Sequence, residues 1–207
     1  MSRVALFIDY QNVYMRARDS FAPRGGPSRV GQIVPRLVGE LLVERGHRVD
    51  PHRVLSSVLI ARGVPSAERS PIGDAAAKRQ VAAWGSQSAV TVVTHPLQYV
   101  RVEAGPGVTR IEAREKGVDV VLAVQMLLGA QRDEYDVAIL FSADSDLIPA
   151  VVAVRLLGKR CEVAAWRSPA GFRSALRIPG VWRHWLDRAD YERLHDPTDY
   201  TKVPPTR

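Results

Sequence analysis

The stretch "VAILFSADSDLIPAVVAVRLLGKRCEVAAW", residues 137–166, decides how this chain folds. It opens on an apolar run, 137–141, and closes on another, 161–165. Neither run alternates with polar residues, which is the pattern of strands covered on both faces. Between them, 146–158 reads as an apolar helix, with Pro149 in a first turn where its missing N–H does little harm. Gly158, followed by Lys159 and Arg160, marks the helix end. Strand, helix, strand without a tight turn implies a parallel pair joined by a right-handed crossover. Two carboxylates, Asp144 and Asp146, stand at the corner where the first strand hands over to the helix.

The same alternation extends outward. The runs "VALFI" (4–8), "VLSSVLIA" (54–61) and "VTVV" (90–93) read as further strands, and 28–46, 70–87 and 117–131 as further helices. The expectation is one layered α/β domain around a mainly parallel sheet. The "EAGPG" corner in 96–117 suggests a hairpin or loop. "VWRHWLDRADYERL" (181–194) reads as a C-terminal helix within an extension, 167–195, with Trp182 and Trp185 filling the core beneath it. Residues 196–207 are polar and Pro-bearing, and are expected to form a flexible tail.

The formal net charge of +7 favours an anionic partner, nucleic acid above all. The inference is tempered by composition, since only four of the 29 basic residues are lysines and arginine bias alone raises the charge. No apolar run approaches the roughly 18 residues of a membrane span. The N-terminus lacks a signal-peptide pattern, so a cytoplasmic protein without membrane contact is expected. The single cysteine, Cys161, lies in a strand-like run and reads as a buried small hydrophobe.

The acids are placed at strand ends. Asp9 ends the first run in "FIDYQN", Asp144 and Asp146 follow the run at 137–141, and Asp119 opens the helix after "REKG". In an open parallel sheet, ligands gather beyond the carboxyl ends of the strands, at a switch in strand order. Each acid also has a capping role open to it, because Asp is among the best N-cap residues. Brought together, however, such carboxylates raise one another's pKa, and a divalent cation relieves the repulsion. Arginines and a lysine follow at the same end of the sheet: Arg16, Arg18, Arg24 and Arg29, then Arg110, Arg114 and Lys116, then Arg167, Arg173 and Arg177. Trp166 and Phe172 are candidates for stacking on bases.

"FIDYQN" (7–12), "KGVDVVLAVQML" (116–127) and "ILFSADSDLIPAVVAVRLLGKRCEVAAW" (139–166) together resemble the NYN domain, a branch of the PIN-like metal-dependent nucleases. The resemblance spans about residues 3–166 and implies a PIN-like three-layer α/β/α domain over 1–166. It also implies a ribonuclease using Mg²⁺ or Mn²⁺, with RNA as partner, DNA as a second possible polyanion, and pairing into a homodimer. By position, Asp9, Asp119, Asp144 and Asp146 match the metal-site and catalytic acids, Asn12 and Ser142 support them, and Lys116, Arg114, Arg16, Arg167 and Arg173 form the nucleic-acid rim. Ala143 replaces a usual glycine, Leu147 a usual phenylalanine, and Gln125 an acid that many relatives carry. The last change keeps a second reading open: an RNA-binding protein with weak or no catalysis.

Other chemistries fit less well. A D-x-D after a strand also suits a metal-dependent glycosyltransferase, but that leaves Asp9 and "KGVD" without a role. A toprim-type site needs a glutamate where Asp9 stands. Neither a G-x-x-x-x-G-K-[ST] loop nor a G-x-G-x-x-G turn follows a strand, and the five histidines show no zinc spacing with Cys161.

Overall fold

The structure is a computed structural model that describes residues 1–22, 26–27, 29–105, 107–168 and 176–202. The chain runs β1 (Ser2–Asp9), α1 (Tyr10–Phe21), α2 (Pro35–Gly46), β2 (Arg53–Val64), α3 (Pro71–Gly85) and β3 (Val90–Pro96). It continues through β4 (Gln98–Gly105), β5 (Val108–Arg114), α4 (Val118–Gln131), β6 (Val137–Phe141) and α5 (Ile148–Leu156). It ends with β7 (Arg160–Trp166), β8 (Trp182–Leu186) and α6 (Arg188–Leu194).

Six strands form one sheet in the order β3-β2-β1-β6-β7-β8, with every neighbouring pair parallel. β1 shows why both faces must be covered. Val4, Leu6 and Ile8 enter one core with residues of α1, α2, α6 and Trp84 of α3. Ala5 and Phe7 enter the other, under α4 and α5. The result is the expected α/β/α arrangement with a fully parallel central sheet. β1 and β6 lie side by side at its centre, Ile8 opposite Phe141. The chain leaves β1 toward one edge and β6 toward the other, so the strand order reverses between them. β4 and β5 form a separate antiparallel hairpin, in line with the "EAGPG" corner.

Several sequence expectations are corrected. The helix over 28–46 begins only at Pro35, whose ring excludes a helical residue chain before it and which takes the first helical position instead. The preceding helix, α1, is separate. The helix at 146–158 opens with a 3-10 turn at Ser145–Leu147 before α5. Residues 181–194 are not one helix: Trp182–Leu186 add β8 to the edge of the sheet, and the Asp187/Asp190 capping box then starts α6. His184 and Leu186 share one strand face and turn inward, Trp185 between them is half-buried, and Trp182 and Arg183 at the strand's start stay exposed. Trp182 is therefore a surface residue, and Trp166, expected near the partner, is core, with Nε1 donating to the Val13 carbonyl. Residues 196–202 are also tied down. Asp196 is buried and accepts from the Tyr200 hydroxyl, and Arg79 donates to the Tyr200 carbonyl.

β8 is joined to the sheet centre by a buried charge cluster. Arg53 donates to both oxygens of Glu162 at 2.6 and 3.2 Å, and His184 Nε2 lies 2.8 Å from Glu162 Oε2. Any Cβ at Gly46 would overlap the Arg53 guanidinium, so α2 can cross here only with glycine. Burial pushes the Glu162 carboxyl up, but His184 and Arg53 outweigh it and hold it below the ordinary carboxylate range. Its contribution to stability is therefore complete above the unfolded value, about 4.3, and is lost as pH falls through the lower folded value. Arg53→Ala, which strands a buried carboxylate, is expected to destabilise by about 3–5 kcal/mol in urea unfolding. Arg53→Met with Glu162→Leu is expected to lose less, and to lose less stability than wild type below about pH 4.

Candidate active site

The reversal of strand order leaves a crevice beyond the carboxyl ends of β1 and β6. It is a cleft of about 350 Å³, lined by Asp9, Gln11, Asn12, Met15, Arg16, Asp19, Glu115 and Asp144.

Asp9 is the last residue of β1 and is only 6% exposed. Its Oδ1 accepts the Asn12 backbone N–H at 3.2 Å, so it caps α1. Its Oδ2 accepts the Ser142 hydroxyl at 2.9 Å. Ser142 follows β6, and its oxygen also accepts the Asp144 N–H at 3.0 Å. Asn12 closes the ring: its Oδ1 accepts the Ala143 N–H at 3.0 Å. Asp144 Oδ1 in turn accepts the Asp146 N–H and caps the 3-10 turn. One hydrogen-bonded circuit thus ties the turn after β1 to the turn after β6 and fixes two carboxylates at the cleft. Capping and a place in the cleft are not alternatives here; Asp9 and Asp144 do both. Ala143 has no positive φ, so it replaces glycine without strain.

Burial raises the Asp9 carboxyl above its ordinary range. Ser142 and Asn12 oppose this, while the negative charges of Asp144 and Asp119 add to it. Asp119 lies in the first turn of α4 and is half-buried. It is not an N-cap, since Gly117 holds that position with φ 82°. Asp119 reaches Asp9 electrostatically without being part of the cleft lining. Asp146 is exposed and outside the lining, and it is Asp144, not Asp146, that caps the turn.

Sequence reasoning missed Glu115. It was read only for its basic neighbours in "REKG", yet it lines the cleft and its Oε1 accepts the Gly63 N–H. The contact needs glycine, because a Cβ at Gly63 would lie 2.7 Å from Glu115 Cγ. Burial pushes the Glu115 carboxyl up, and Gly63 opposes it; Asp9 and Asp119 push it further, against Arg62. The half-buried Arg62 guanidinium stands 4.9 Å over the Tyr10 ring, donates to Gln80, and is within electrostatic reach of Glu115.

The expected basic rim is partly assembled. Arg16 lines the cleft, and exposed Lys116 adjoins Glu115. Arg114 is exposed but ion-paired with Glu112 at 2.9 Å. Arg167 is exposed just past β7. Arg173, Arg24 and Phe172 lie outside the described residues. Gln125 is six residues beyond Asp119, about 240° around the helix, and does not line the cleft.

The donors at the cleft are carboxylate oxygens, with no thiol or imidazole among its lining residues, which suits a hard cation such as Mg²⁺ or Mn²⁺. Among the described residues, no three His, Cys, Asp or Glu side chains converge closely enough to encage an ion by themselves. The donor set therefore fits an ion that keeps waters and takes further oxygens from a bound phosphate.

The family model of the NYN domain matches residues 3–177. No curated protein matches the chain. The crystal structure of a protein of unknown function from Vibrio parahaemolyticus is similar, with a TM-score of 0.54 at 16% identity over 90% of this chain and 93% of that one. At that identity the likeness concerns the fold alone. No helix among the described residues is long and apolar enough to cross a membrane.

A carboxyl held above its unfolded value, about 3.9 for Asp, favours the fold fully below that pH and loses the advantage as pH rises through the folded value. At neutral pH the Asp9 charge therefore works against the fold. Asp9→Asn is expected to raise Tm at pH 7, by about 2–4 °C for each kcal/mol relieved, with the gain vanishing below about pH 4 in calorimetry. An unchanged or lower Tm at pH 7 contradicts this account.

Proposed function

This chain belongs to the NYN domain family, and we propose that it is a metal-dependent ribonuclease cleaving RNA phosphodiester bonds at the β1–β6 cleft. The family is generally one of metal-dependent nucleases, which supports hydrolysis as the reaction class. The observation that carries the reading is the Asp9–Ser142–Asp144 circuit, which holds two carboxylates at the cleft, Asp9 raised by its burial and further by neighbouring charge.

In this reading Asp9, Asp119 and Asp144 hold a Mg²⁺ or Mn²⁺ ion, and Asp146 acts through water. Such an ion, when bound, activates water and offsets charge developing on the phosphoryl oxygens. The chain's own groups do the positioning. Ser142 and Asn12 keep Asp9 and Asp144 in fixed orientations. Glu115 adds negative charge to the same cleft. Arg16, Lys116, Arg114 and Arg167 contact the RNA backbone, and the cytoplasm is the proposed setting. A second reading, RNA binding with little catalysis, is favoured by the lack of a preformed three-acid cage among the described residues.

Labelled single-stranded RNA with Mn²⁺ is expected to be cleaved. Chelator and Asp144→Asn are each expected to slow cleavage about 100-fold or more, as befits loss of a term worth several kcal/mol. Ser142→Ala is expected to lose about 10–100-fold through misoriented carboxylates. Cleavage that survives both chelator and Asp144→Asn sinks the proposal, and intact binding without cleavage of any RNA selects the second reading. Arg16→Ala is expected to weaken RNA binding and to reduce the slope of log affinity against log salt by about one. An unchanged slope removes Arg16 from the interface.

A further inference from the structure

α1 starts directly after Asp9 and shows one face to the core and another to the cleft. Tyr10, Val13, Ala17 and Phe21 point inward. On the far side, Gln11, Asn12, Met15, Arg16 and Asp19 line the cleft together with Asp9 and Asp144. Asn12 is committed to the Ala143 N–H. Gln11, Arg16 and Asp19 are exposed, and among the described residues their side chains make no hydrogen bond or ion pair. Met15 is the one apolar side chain among the described lining residues, and it is 45% exposed. A hard cation and a phosphate take oxygen ligands and positive charge, and neither makes use of a thioether. The face of a ring does.

Helical geometry orders these groups. Gln11 and Arg16 stand about 140° apart around the helix, with Met15 and Asp19 between them. Arg16 is the cation of this wall, so a polyanion backbone passes on its side. Asp19 repels a phosphate, so the middle of the wall receives a base instead. We propose that Gln11 and Met15 form a nucleobase subsite that selects an unpaired adenine beside the bond to be cut. The adenine ring lies on the Met15 thioether. The Gln11 amide meets the base edge twice: its Oε1 accepts from the N6 amino group and its Nε2 donates to N7. Uracil offers no such pair, since its O4 only accepts. In an RNA duplex that edge lies in a deep, narrow groove that side chains cannot read, so the base must be unpaired. The cleft, about 350 Å³, lies at the lower end of the range for small-ligand sites and suits a single nucleotide rather than a duplex. Seating one base on α1 also decides which phosphate reaches Asp9 and Asp144, because the subsite and Asp9 share one rigid helix start. The inference rests on RNA being the ligand of the cleft, and not on the rate at which it is cut.

Fluorescence anisotropy of the full chain with labelled oligoadenylate and oligouridylate, in chelator so that nothing is cut, measures the selection directly. Oligoadenylate is expected to bind about 10-fold more tightly. Gln11→Ala is expected to remove most of that preference by weakening oligoadenylate chiefly. Gln11→Glu is expected to move the preference toward oligocytidylate, whose N4 amino group donates to a carboxylate. Met15→Ala is expected to weaken oligoadenylate several-fold, and Met15→Leu to keep most of the affinity. Both positions are exposed, and circular dichroism confirms that each variant is folded. Equal affinity for the two RNAs, or a Gln11→Ala change that weakens both alike, overturns the proposal. Cut sites mapped with Mn²⁺ separate it from the ribonuclease reading. Cleavage without adenine preference overturns this inference alone, whereas adenine-selective binding without cleavage of any RNA supports it and overturns only the ribonuclease reading.

Discussion

β1 and β6 run parallel at the centre of the sheet, and the chain departs from their carboxyl ends in opposite lateral directions. At such a reversal of strand order a crevice forms beyond the two strand ends. The crevice needs a bridge if its walls are to keep a fixed separation, and the Ser142 hydroxyl supplies it. It donates to Asp9 from one turn and accepts from Asp144 of its own, while Asn12 reaches back to Ala143. Backbone donors and short polar side chains therefore define the position of both carboxylates. Long flexible groups would lose several rotors in the same task.

The two ends of the sheet treat buried charge differently. At the amino-terminal end, Glu162 is fully matched by Arg53 and His184, and its carboxyl is held low. At the carboxyl end, buried Asp9 and half-buried Glu115 stand among other acids and both are held high. The first arrangement secures β8 and β2 across the sheet. The second leaves negative charge only partly offset, by the half-buried Arg62 beside Glu115. Acids so incompletely offset at a strand-order reversal are what an incoming cation or cation-bearing ligand can stabilise, and strain of this kind collects at functional sites.

Much of this was legible from sequence for a specific reason. Strands buried on both faces write themselves as unbroken apolar runs, so β1, β6 and β7 were plain, and the acids ending them followed. β8 was not, because "WRHWL" is short and its tryptophans, three apart, mimic one face of a helix. Glu115 was hidden by topology: only the β4–β5 hairpin returns it to the end of β2, where Gly63 receives it. The pair Asp144 and Asp146 looked equivalent in sequence. The 3-10 turn separates them, spending the Asp146 N–H on Asp144 and leaving the Asp146 side chain at the surface.

α4 connects these features. Its inner stripe closes the second core, its first turn places Asp119 within electrostatic reach of Asp9, and its outer stripe is apolar and exposed. A helix serving only the core would carry charges outward at little expense in stability, since exposed positions tolerate substitution. Val120 and Val124 stand exposed there without a charged neighbour on the helix between Asp119 and Arg132, although the chain as a whole is rich in arginine. The contrast separates two surfaces: a cleft rim where arginine and lysine stand, and a helix face from which charge is excluded. α4 thus brings Asp119 within reach of the cleft on its first turn and keeps Val120 and Val124 exposed on its outer side.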